Sequence, residues 1–165
     1  MATVNLGGNP VNTIGELPAI GSSAPSFTLI GADLGEVTAD AFAGKKVVLN
    51  IFPSIDTPTC ATSVRQFNER VAGRDDAVVV CISEDLPFAQ NRFCGSEGIS
   101  NVLTASSFRS DFGSTYGVEL VDGKLAGLLS RAVVVLDESG KVVHSELVAE
   151  IANEPDYDAA LNALG

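Results

Sequence analysis

Two runs of β-branched and apolar residues, KVVLNIF from Lys46 to Phe52 and AVVVCIS from Ala77 to Ser83, stand on either side of a segment with helical signals. Each run is nearly continuous rather than alternating, as expected of strands covered on both faces. In the intervening TPTCATSVRQFNERVAG, Thr57 is placed to be the N-cap, and Pro58 takes the first helical position, where its missing N–H is harmless. Gly73 is placed to close the end. Cys60, Val64, Phe67 and Val71 recur at helical spacing on one face. Strand, helix and strand in that order require a parallel pair with a right-handed crossover, which sets the class as α/β.

The rest of the chain fits around that unit. Thr3 to Leu6 and Val11 to Ile14 are expected to form a hairpin about Gly7 and Gly8, with Asn9 and Pro10 completing the turn, as a decoration of the domain. A strand is expected at Phe27 to Ile30, a single helical turn at Asp40 to Gly44, a short helix from Pro87 that Gly95 ends just after Cys94, a strand at Val102 to Ala105 and a short helix over Phe108 to Tyr116. SRAVVVLD and KVVHSELV flank Glu138, Ser139 and Gly140 as a second hairpin with Arg131 at its start. PDYDAALNAL closes as an amphipathic helix with Tyr157, Ala160, Leu161 and Leu164 on its apolar stripe. No repeat or composition shift divides the chain, so residues 1–165 are expected to form one domain, although this pattern leaves the strand order open.

Charge narrows the partners. Twenty-one acidic residues against ten basic ones give a formal net charge of -11, which repels phosphate backbones and anionic lipid surfaces, so neither nucleic acid nor membrane is expected as a partner. The start, MATVNLGGNPVNTIGELP, has neither a cationic leader nor a continuous apolar core, and a cytoplasmic location is expected. Cys60, Cys81 and Cys94 cannot all pair within one chain, so a disulfide here is expected to be transient and chemical.

Cys60 is the third residue of its expected helix. Unpaired amides and the positive end of the helix dipole favour an ionised sulfur there, and screening limits the opposing field of the acidic surface to about 8 Å. Ionisation has limited leverage. A free thiol is about 3% thiolate at neutral pH, so complete ionisation raises the reactive fraction only ~30-fold. Attack on a peroxide also builds negative charge on the departing oxygen, which calls for fixed donors such as a hydroxyl and a guanidinium. Thr57, one turn from the sulfur, can supply the first.

The segment PSIDTPTC sets Pro53, Thr57 and Cys60 in the spacing P-x-x-x-T-x-x-C. With NTIGELPAIGSSAPSF, LNIFPSIDTPTCATSVRQFN, DLPFAQNRFCGSEG, FGSTYGV and AGLLSRAVVVLD, the chain resembles the bacterial thiol peroxidases, the atypical two-cysteine peroxiredoxins. The resemblance implies a thioredoxin-like fold: a central mixed sheet flanked by helices, with an N-terminal β-hairpin extension. It also implies reduction of hydrogen peroxide and of alkyl or lipid hydroperoxides, without a metal or organic cofactor. Cys60 would be the peroxidatic cysteine, which becomes a sulfenic acid. Thr57 would hydrogen-bond thiolate and peroxide, Pro53 would shield the sulfenic acid, and Arg131 would stabilise the thiolate and polarise the peroxide. Cys94 would resolve the sulfenic acid within the same subunit, thioredoxin would reduce the bridge, and the protein would be a homodimer. Ala149 stands where relatives often have proline, at a position expected to be remote from the chemistry.

Plainer roles account for other residues. Cys81 reads as a small buried hydrophobe in its strand. Arg65 and Arg92 read as solvated or acid-paired, and His144, the only histidine, reads as a surface or packing residue without metal-ligand neighbours. A dithiol oxidoreductase needs C-x-x-C, but Thr57 stands where its first cysteine would be. A non-enzymatic redox sensor built on the same sulfenic acid differs from an enzyme in lacking turnover. Because a disulfide needs Cα atoms roughly 4.4–6.8 Å apart, the implied Cys60–Cys94 link requires the Pro87 to Cys94 helix to unwind after oxidation, with Gly95 and Gly98 making that segment easy to open.

Overall fold

The computed structural model describes all residues, Met1–Gly165. In chain order it contains β1 (Thr3–Leu6), β2 (Asn9–Asn12), β3 (Thr28–Gly31), β4 (Glu36–Thr38), a 3-10 turn at Ala39–Phe42, β5 (Lys46–Ile51), α1 (Pro58–Arg70), β6 (Ala77–Ser83), α2 (Pro87–Glu97), β7 (Leu103–Ser106), α3 (Phe112–Thr115), β8 (Ala132–Leu136), β9 (Val142–Leu147) and α4 (Tyr157–Leu164). The main sheet has seven strands in the order β4-β3-β7-β6-β5-β8-β9. β5, β6 and β7 run parallel, while β8 and β9 on one side and β3 and β4 on the other add antiparallel pairs. This is the mixed, helix-flanked sheet of the thioredoxin-like fold, with β1 and β2 as a separate hairpin.

Alternation along the buried strands divides the core into two layers. Leu49, Ile51, Val80, Ile82 and Val134 pack with Phe27, Phe112 and Tyr116 on one face. Val48, Val79, Cys81, Val133 and Val135 pack on the other beneath α1 and α4. There, Phe67 of α1 meets Tyr157 of α4 edge to face with centroids 5.2 Å apart. Truncating Phe67 to alanine would therefore cost about 3–5 kcal/mol, because it opens a cavity between the two helices.

Several boundaries differ from the sequence expectation. The first hairpin turns through Gly7 and Gly8 alone, at φ +59° and +83°, and Asn9 and Pro10 are already strand residues opposite Leu6 and Asn5. Both central positions need positive φ, which only the glycine pair adopts without strain. Gly95 does not end α2. The helix continues to Glu97, and Gly98, at φ +66°, is the left-handed cap, with the Ile99 N–H returning to the Cys94 carbonyl at 3.0 Å. Cys94 therefore stands inside a helix rather than at its end. The helix expected over Phe108 to Tyr116 is confined to Phe112–Thr115, and the short β4 was not expected at all.

Candidate active site

β5 delivers the chain to Pro53, which is buried and joined by trans peptide bonds, and α1 then starts at Pro58. Thr57 has the extended backbone of an N-cap, φ -101° and ψ 147°. Its hydroxyl makes no capping bond. It donates instead to the Ser54 carbonyl at 2.9 Å, where the Thr57 N–H also converges at 3.2 Å. The expected donation from Thr57 to the sulfur is therefore absent, because the Ser54–Thr57 turn takes that proton, leaving the hydroxyl oxygen free to accept. The first backbone N–H of α1 with a protein acceptor is that of Ala61, which bonds the Thr57 carbonyl at 3.0 Å. The Thr59 and Cys60 amides are left as the unpaired donors of a helix start.

Cys60 is fully buried, and the group that meets it comes from the start of the neighbouring strand β8. β8 pairs antiparallel with β5, setting Ala132 opposite Ile51, so Arg131 arrives beside the strand end from which α1 departs. Arg131 is 2% exposed. Its Nη2 donates to Cys60 Sγ at 3.2 Å, its Nε donates to the Ile151 carbonyl at 2.8 Å, and its Nη1 is buried with no partner. No carboxylate pairs with it. A buried cation without a carboxylate partner carries a large desolvation penalty, and its nearest side-chain contact is the Cys60 sulfur.

A carboxylate that sequence reasoning did not single out for the site organises the loop before Cys60. Asp85, just beyond β6, accepts from Ser54 Oγ at 2.7 Å, from the Ile55 N–H at 2.6 Å and from Ser83 Oγ at 2.6 Å. Under α1, Ser63 Oγ donates to the Cys60 carbonyl at 2.8 Å and itself accepts from Asn50 Nδ2 at 3.3 Å. An acidic residue at the carboxyl end of a neighbouring parallel strand was the only signal for Asp85, and it requires knowing that β5 and β6 are neighbours.

The segment 149–152 supports the site from the opposite side. Ile151 offers its carbonyl to Arg131, and Ala152 offers its carbonyl to the Thr59 hydroxyl at 2.9 Å. The N-terminal hairpin brackets this segment: Asn5 N–H bonds Ala149 O at 2.7 Å, and Ile151 N–H bonds Asn5 O at 2.8 Å. Glu150 accepts from Gly8 N–H at 2.8 Å and from Gly7 N–H at 3.2 Å. The hairpin is thus a buttress rather than a decoration, and Ala149 sits two residues from a ligand of Arg131 rather than remote from the site.

The other cysteines have different surroundings. Cys81 is fully buried, and that burial pushes its thiol up to about 12; Asn50 Nδ2 donates to its sulfur at 3.6 Å. Cys94 is half-buried, a free thiol raised by burial, and it faces a cleft of about 300 Å³ between Asn91, Thr104 and the segment 31–33. Arg65 pairs with Glu97, and Arg92 pairs with Asp56 at 3.3 Å, in keeping with acid-paired surface cations.

Comparisons with known proteins show the family and the fold. The redoxin family model matches residues 19–161. The thiol peroxidases of Mycobacterium tuberculosis and Mycobacterium bovis are each 61% identical over 165 residues, covering 100% of this chain and 99% of theirs. The crystal structure of a peroxiredoxin-like protein from Aquifex aeolicus has a TM-score of 0.95 at 43% identity, covering 99% of this chain and 96% of that one. A thiol peroxidase from Chromobacterium violaceum has a TM-score of 0.90 at 24% identity, over 98% and 94% of the two chains, a likeness of fold.

Proposed function

The chain belongs to the redoxin family, within its thiol peroxidase group, and we propose that its thiol-dependent peroxidase chemistry runs through Cys60. The observation that carries this reading is the Arg131 guanidinium, buried without a carboxylate, with one nitrogen on Cys60 Sγ and another unoccupied. Nη2 is a donor already placed on the sulfur. Nη1 is then a fixed donor for the oxygen on which charge develops.

The thiolate attacks the nearer oxygen of a hydroperoxide, the S–O bond forms as the O–O bond breaks, and an alcohol or water leaves after taking a proton. Cys60 is left as a sulfenic acid. Thr57, whose own proton is on the Ser54 carbonyl, accepts the hydrogen bond of the incoming hydroperoxide. Pro53, buried at the start of the same loop, serves to shield the sulfenic acid.

Cys94 then condenses with the sulfenic acid in the same subunit, giving the disulfide and water. Since Cys94 is within α2 and Cys60 within α1, that step needs α2 to unwind. Thioredoxin reduces the bridge, which suits a reducing cytoplasm. The substrates are hydrogen peroxide and alkyl or lipid hydroperoxides. Residues 1–165 act as one domain and pair as a homodimer, for which exposed apolar side chains such as Phe88 offer contact area. No helix is long and apolar enough to cross a membrane.

Peroxide-dependent NADPH consumption with thioredoxin and its reductase tests the reading. Cys60→Ser should lose all activity, and Cys94→Ser should lose thioredoxin-supported turnover while still consuming one equivalent of peroxide. Sustained turnover in Cys60→Ser would exclude it.

A further inference from the structure

The helix that carries Cys94 is thinly attached. Of the eleven residues of α2, only Pro87 and Gln90 are buried. Gln90 is 1% exposed, and its Nε2 donates both to Ser83 Oγ on β6 and to the Ala105 carbonyl on β7, each at 3.1 Å. The carbonyl can only accept, which fixes the orientation of the amide. Its Oε1 is buried without a donor. Three further polar ties, Asn91 Nδ2 to Ala32 O, Arg92 to Asp56 and Arg65 to Glu97, are exposed and therefore weak, while Phe93 adds partly buried apolar contact.

Gln90 also connects the two thiol helices. Ser83 Oγ, which accepts from Gln90, donates its own hydrogen bond to Asp85, and the same carboxylate holds Ser54 Oγ and the Ile55 N–H in the loop before Cys60. We propose that Gln90 is a positioning residue that sets how often α2 releases, and hence how fast Cys94 reaches oxidised Cys60. This rests on the reading of Cys94 given above. The orphaned Oε1 explains why a buried amide suits the task. Two good donor bonds hold the helix, while the dehydrated oxygen opposes them and regains water on release. The latch is held, but not tightly.

The chemistry it gates is the condensation of Cys60–SOH with the Cys94 thiol to a disulfide and water. A second hydroperoxide competes for the same sulfenic acid, carrying it to the sulfinic state. The latch therefore also sets how much peroxide the protein withstands. A faster release favours the disulfide.

The test combines hydrogen exchange with rapid-quench peptide mapping on the full chain. Gln90→Ala should speed exchange across 87–97, and with it disulfide formation, by a factor of about 5–30, the loss of one or two buried hydrogen bonds. Cys60 oxidation should keep its wild-type rate, and the sulfinic fraction at high peroxide should fall. Gln90→Met refills the volume without the donor and should behave as Gln90→Ala does. If Gln90→Met restores wild-type rates, packing rather than the latch is responsible and the proposal fails. It fails equally if α2 exchange and disulfide formation are unchanged in Gln90→Ala while wild type forms the link. Absence of a Cys60–Cys94 link in wild type would instead overturn both this proposal and the assignment of Cys94.

Discussion

Arg131 donates to Cys60 Sγ at 3.2 Å although 71 positions separate the two residues in the chain. The contact exists because β8 lies antiparallel against β5, so the residue before β8 falls beside the residues after β5. It brings a permanent cation to a sulfur that is itself inside the core. The donor faces the sulfur that the proposed peroxide chemistry uses as its nucleophile.

Arg131→Ala should slow Cys60 oxidation by about 10²–10³-fold, the usual penalty for removing a preorganised donor. Arg131→Lys keeps the charge but not the planar fork that reaches Cys60 and Ile151 together, and should recover only part of the rate. Single-turnover oxidation followed by mass spectrometry measures both. An unchanged rate in Arg131→Ala removes the guanidinium from the mechanism.

Asp85→Asn should loosen the loop before Cys60. An amide places two donors where Ser54, Ile55 and Ser83 already donate, so stability should fall by about 1–3 kcal/mol, with slower Cys60 oxidation as the loop loses register. Chemical denaturation and the single-turnover rate should move together. A stability loss with unaltered oxidation would make Asp85 a structural residue only.

Acid should release the hairpin from the site. The amides of Ala152, Gly8 and Gly7 hold the Glu150 carboxyl below its ordinary value of 4.5. A depressed folded pKa means the clamp is fully present above that ordinary value and is lost as pH falls through the lower folded one. The amide resonances of Gly7, Gly8 and Ala152 should titrate together below 4.5, and Glu150→Gln should abolish the transition. Titration at or above 4.5 would show that the carboxylate gains nothing from these amides.

Cys81 should stay silent. With its thiol pushed up to about 12 by burial, it should resist iodoacetamide at pH 8 in the folded protein while Cys94 reacts. Cys81→Ala should cost about 1–2 kcal/mol of stability and leave peroxide turnover intact. Loss of turnover in a stable Cys81→Ala protein would assign it a chemical part.

Local signals made β5, α1 and β6 legible, since continuous apolar runs, an N-cap and a proline at the first helical position need no knowledge of distant residues. The packing of Cys60, Val64, Phe67 and Val71 into the core followed from spacing alone. Glycines were read less well. Gly95 resembles a stop signal, but an interior glycine costs a helix only about 1 kcal/mol, and the left-handed cap falls at Gly98. The supports of the site were hidden for another reason. Asp85, Gln90 and Glu150 act on groups brought near by strand order and by the hairpin's docking, which no local pattern encodes. Arg131 was recognisable through family resemblance, whereas its unpaired nitrogen and missing counterion became visible only in the fold.

The central claim is that one buried sulfur, paired with a buried guanidinium, reacts with hydroperoxide. Adding one equivalent of hydroperoxide to Cys94→Ser in the presence of dimedone, followed by peptide mapping, addresses it most directly. The adduct should form stoichiometrically on Cys60 and nowhere else. Unconsumed peroxide with Cys60 unmodified, or an adduct on Cys81, would mean that Arg131 does not activate this sulfur.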